Sequence, residues 1–139
     1  MIAKRIYATL AYTVVSMILA VPWHLVWFKQ ESHDFGIYTR ADPIIPLGFA
    51  TMLIQGTVIA FLYPRWQRAG TKPVLEGIRF AALVGVFLFS VSTLATIAKT
   101  EVAHPWRFIL LSGVFHTLQF VISGAAIGLV FGRPADKTV

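Results

Sequence analysis

Four continuous apolar stretches, at about residues 6–28, 44–63, 78–98 and 107–131, are separated by short segments rich in charge and proline. Each reaches the roughly 20 apolar residues that a helix needs to cross a bilayer. None shows the short alternation of apolar and polar positions that marks a membrane β-strand, and in lipid a helix satisfies its own backbone groups. The pattern predicts an all-α, four-helix transmembrane bundle in which residues 1–139 form a single transmembrane domain. The breakers fall where span ends need them. Pro43 and Pro46 open the second span, Pro64 closes it, Pro73 and Pro105 precede the third and fourth, and Gly132-Arg133-Pro134 ends the last. Proline in a first helical turn gives up no helical hydrogen bond. Pro22 instead lies inside the first span, where the missing donor predicts a kink.

Composition supports the same class, with 57% hydrophobic and 13% charged residues and a mean hydropathy of +0.72, against roughly 45–50% and 25% in soluble domains. The connections are too short to hold a soluble domain. A net charge of +6 would suggest a nucleic-acid partner on a soluble chain. Sorted by span, it reads differently. Lys4, Arg5, Arg65, Arg68, Lys72, Arg79, Arg133 and Lys137 fall on one side with Glu76 and Asp136, while the other side balances four basic residues against four acidic ones. By the positive-inside rule this excess places both termini in the cytoplasm, and no nucleic-acid partner is expected. Trp23, Trp27, Tyr38 and Trp106 would mark the outer interface, and Tyr7, Tyr63 and Trp66 the inner one. Lys4-Arg5, an apolar core and Ala20 also resemble parts of a signal peptide, but the run continues to Phe28 without a small-x-small cleavage site. Without cysteine the chain has no disulfide, thiolate metal site or thiol nucleophile.

Polar residues inside spans are costly and usually face other helices. Gln55 lies near the middle of the second span. Ser112, His116, Gln119 and Ser123 share one face of the fourth, with Gly113, Gly124 and Gly128 beside them. The ordinary role of such a face is interhelical packing: Gly124-x-x-x-Gly128 permits close backbone approach, and glutamine and histidine hydrogen-bond across helices. Gly56 with Ala60, and Ala81 with Gly85, offer matching small residues on the second and third spans.

The histidines suggest a sharper role, because His24, His33, His104 and His116 all fall in the outer half or the outer loops. His24 and His116 differ in depth by about 6 Å at 1.5 Å per residue, so two imidazoles on facing helices are able to ligate a haem or another tetrapyrrole. His24, Gln55, His116 and Gln119 are therefore the candidate ligand-binding residues, and Gly113, Gly124 and Gly128 the candidate packing residues. Glu31, His33 and Asp34, with Asp42, Glu101 and His104, are suitable donors for a metal, yet their spacing matches no ligand pattern and no metal site is expected. Catalysis has less support. No predicted span holds Asp or Glu, and the chain has no P-loop, H-E-x-x-H or dinucleotide fingerprint. Ser90, Ser92, Thr93 and Thr96 could offer a nucleophile with His116 as base, although such hydroxyls ordinarily bond their own helix.

Trp23-His24-x-x-Trp27, Gly77-x-x-Phe80, and Phe115-His116-x-x-Gln119-Phe120 followed by Gly124-x-x-x-Gly128 make the chain resemble the small uncharacterised four-span inner-membrane proteins of bacteria. The resemblance covers about Ile6 to Gly132. It implies a four-helix membrane fold in the bacterial inner membrane, with no established activity, cofactor or catalytic residue. The expected function is that of a non-enzymatic, small multi-pass membrane protein acting through helix–helix contacts, as a homo-oligomer or an accessory subunit of a membrane complex. The alternative is a binder or carrier of a small molecule, lipid or tetrapyrrole, with its site in the outer half of the bundle.

Overall fold

The computed structural model describes residues 1–37, 40–68 and 70–132. Tyr38 and the charges at Arg133, Asp136 and Lys137, used in the topology argument above, lie outside them. The described residues form five helices and no strand: α1 (Ile2–Trp27), α2 (Lys29–Asp34), α3 (Ile45–Trp66), α4 (Pro73–Lys99) and α5 (Pro105–Phe131). The four long ones have 22 to 27 residues, or about 33–40 Å at 1.5 Å per residue, enough to cross a hydrocarbon core of about 30 Å. With four apolar helices of this length, the chain is a membrane protein with an all-α four-helix bundle.

The long helices pair as two hairpins, α1 with α3 and α4 with α5, which join through α1 and α5. Helices α3 and α4 meet briefly near the segment that links them. There the Tyr63 and Phe80 rings lie 5.5 Å apart and the Tyr63 hydroxyl donates to the Pro73 carbonyl. The end of the bundle that carries Lys4, Arg5, Arg65 and Lys72 is here called the basic end, and the opposite one the capped end.

Close packing is concentrated toward the basic end. Gly77, Ala81 and Gly85 of α4 face Gly124, Gly128 and Phe120 of α5. A methyl group at Gly124 would lie 2.6 Å from the Gly77 carbonyl oxygen and 2.7 Å from the Ala81 Cβ, so the two backbones approach in a way that only glycine permits. Gly56 plays a milder version of this part between α3 and α1, where a Cβ would sit 3.0 Å from the Thr9 carbonyl. The end of α5 is closed by donors from elsewhere. Lys4 Nζ donates to the Phe131 carbonyl at 2.7 Å, and Gln67 Nε2 to that of Gly132, satisfying acceptors that a helix terminus leaves open.

Helix α4 begins at Pro73, ahead of the apolar stretch at 78–98, because proline is suited to a first turn; Glu76 therefore lies within this helix, 3% exposed and 3.1 Å from Arg79. A carboxylate in the first turn also complements the helix dipole. Tyr63 is fully buried and Trp23 is 9% exposed, so these two rings turn into the bundle. Trp27 and Trp106 are exposed. Pro22 is followed by a π-helical turn, Trp23–Trp27, closed by the Phe28 N–H donating to the Trp23 carbonyl. A second π turn, Ser90–Leu94, interrupts α4.

The connection after α1 folds back over the bundle. Its short helix α2 is tied to the start of α5: Arg107 donates to Glu31 at 3.0 Å, the Phe35 ring packs 5.1 Å from Phe108, and the Ala103 N–H donates to the Phe35 carbonyl. Phe35 is 4% exposed, so α2 sits as a cap fastened by one buried aromatic residue.

Candidate functional site

The four candidate ligand-binding residues fall into two separate places. Gln55 and Gln119 belong to a polar chain at mid-depth that crosses three helices. Tyr12 of α1 donates to Gln55 Oε1 at 2.8 Å, while Gln119 Nε2 donates to Ser16 Oγ at 2.9 Å and to the Tyr12 hydroxyl at 3.3 Å. Tyr12, Ser16 and Gln119 are all buried. Their groups are spent on one another, so the chain fastens α1 to α3 and α5. Tyr12 and Ser16 escaped the sequence reading because a tyrosine and a serine within an apolar run carry no spacing signal of their own. The helical offset of four residues between them was the available clue.

His24 and His116 come together elsewhere, in a cavity of about 110 Å³ near the capped end. The Phe115 ring contacts both, with centroids 4.9 Å from His24 and 5.7 Å from His116. Ser32, Ser92, Thr93 and Ser112 supply the remaining polar wall, and Phe28 and Phe35 border it toward the cap. Both π turns border this space, the first through Trp23 and His24 and the second through Ser92 and Thr93. A π turn widens a helix by one residue and is frequent at functional sites. Here two of them face the same cavity from different helices.

The hydrogen bonds around His116 fix its chemistry. Nδ1 lies 2.7 Å from the Ser112 carbonyl oxygen, which can only accept, so Nδ1 carries the proton. Nε2 is left with its lone pair and accepts from Ser92 Oγ at 3.3 Å. This brings together a hydroxyl and an imidazole suggested by the sequence. The separation is nevertheless longer than the roughly 2.6–3.2 Å of a working nucleophile and base. Ser90 and Thr96 bond carbonyls of their own helix.

The packing candidates divide as well. Gly124 and Gly128 are in backbone contact with α4, whereas a Cβ at Gly113 would meet only Phe89, at an ordinary 3.8 Å. Gly113 is thus not required by helix packing; its position follows the same face, but α4 has diverged from α5 by that depth. Among the described residues no three His, Asp or Glu side chains are grouped to hold a metal, and Glu31 is engaged by Arg107. No protein-family model, curated protein or solved structure matches the chain.

Proposed function

We propose that this is a small multi-pass membrane protein that binds a small molecule in the cavity between His24 and His116. The observation that carries the reading is the meeting of two π turns, two imidazoles and a serine hydroxyl around one space. Its volume sets the scale of the occupant. A cavity of about 150 Å³ holds one benzene ring, so 110 Å³ suits a single ring or a short polar head better than a tetrapyrrole. The small-residue face that first suggested helix–helix contacts with other chains is occupied within this one, by α4, so docking to a partner would have to use another surface. The excess of basic residues that the sequence assigns to one side of the spans supports cytoplasmic termini, and the resemblance to bacterial four-span proteins supports the inner membrane.

Native mass spectrometry of protein released gently from membranes tests the binding reading. The wild type is expected to carry a small-molecule adduct that His24→Ala and His116→Ala both lose. A wild type free of adducts, or an adduct indifferent to both substitutions, would overturn it.

A further inference from the structure

His116 borders two spaces. One is the cavity shared with His24; the other is a notch of about 290 Å³ between α4 and α5, lined by Ala82, Gly85, Phe89, Gly113, Thr117 and His116 among others. The imidazole therefore borders both the space shared with His24 and the groove between α4 and α5. Gly85 has a packing reason, since a Cβ there would press within 2.8 Å of the Phe120 ring. Gly113 has none, and its missing side chain leaves the notch open.

The lining selects the chemistry of an occupant. Neither space is bordered by Asp, Glu, Lys or Arg, so a carboxylate, phosphate or ammonium head would be desolvated without a counter-charge. A neutral head can use what is there. The Ser92 hydroxyl and the Nε2 lone pair of His116 face each other across 3.3 Å, a long bond for this pair. A ligand hydroxyl that displaces this direct bond and bridges the pair donates to Nε2 and accepts from Ser92 Oγ. A ketone or ether accepts from Ser92 but leaves Nε2 without a donor.

We infer that the cavity takes the hydroxyl head of a neutral amphiphile, a long-chain alcohol, phenol or quinol, which enters sideways between α4 and α5 with its tail in the notch at Gly85 and Gly113. This rests on the proposed binding function and adds the class of ligand and its route.

A photoreactive long-chain alcohol carrying an alkyl diazirine, and its methyl ether, tests the inference on full-length protein in phosphatidylcholine vesicles, with labelled sites read by peptide mass spectrometry. The alcohol is expected to label α4 around Gly85–Phe89 and α5 around Gly113–Thr117 about tenfold more than the ether, as one lost hydrogen bond in a dry site implies. Ala82→Phe and Gly113→Leu each narrow the notch, from different helices, and are expected to bring the alcohol down to the level of the ether while labelling of α3 is unchanged. Equal labelling by alcohol and ether would overturn the choice of head. Undiminished labelling in both notch variants, combined with loss in His24→Ala and His116→Ala, would overturn sideways entry and leave the cavity as a binding site. Labelling indifferent to the histidines as well would remove both.

Discussion

Helices α4 and α5 touch backbone to backbone at the basic end and part around a cavity at the other. The two regions use the same pair of helices and differ in side chains and helical register. At the basic end a small residue recurs every four positions, at Gly77, Ala81 and Gly85 on one helix and Gly124 and Gly128 on the other. At the capped end the contact is between rings, Phe89 of α4 and His116 of α5 at 5.8 Å, and a π turn interrupts α4 just beyond. A lipid environment offers little hydrophobic driving force between helices, so close contact of small residues has to supply much of the association. The basic end therefore carries the stability of the hairpin, and the capped end is free to hold a gap.

The sharpest way to break this contrast is to add the same kind of bulk to each region. Gly124→Ala is expected to cost about 2 kcal/mol in detergent unfolding, because overpacking here meets backbone on the other side, while Gly113→Ala is expected to stay within about 0.5 kcal/mol. Equal losses would dissolve the distinction. A smaller effect belongs to the polar chain between the two regions. Gln119→Leu should cost about 1 kcal/mol, the scale of interhelical hydrogen bonds in membranes, and should loosen α1 against α5, measured as faster hydrogen exchange in both. The smallest effect is expected at the cap. Arg107→Ala removes an ion pair whose arginine side chain is 59% exposed, worth well under about 1 kcal/mol. It should speed exchange of the Lys29–Asp34 amides without moving the unfolding transition of the bundle.

The spans were legible because crossing a bilayer demands length and apolarity, and both are properties of sequence composition in a window. Gly124 and Gly128 were legible for a similar reason, since a small residue every fourth position has few other uses. The cap was not. Lys29–Asp34 is a short polar segment whose helix depends on contacts made by Phe35 and Glu31 to a start of α5 that lies far away in the chain. The π turns were hidden more completely, as one extra residue in an apolar run leaves hydropathy unchanged. His24 and His116 could be named from their rarity in spans and their similar depth. Their separation from Gln55 and Gln119 could not, because it depends on which neighbour each glutamine meets, and Tyr12 had been read only as part of an apolar run.

The π turns have a consequence for how the protein can change. Each is, in effect, an inserted residue absorbed without rotating the helix on either side of it. Losing one residue within Trp23–Trp27 or Ser90–Leu94 can be accommodated by reverting to a regular helix, whereas the same loss elsewhere in a span turns everything beyond it by about 100°. Tolerance to a one-codon deletion is thereby concentrated at the two segments that border the cavity. Lineages of this chain can reshape the site in single steps while the glycine contacts at the other end stay in register.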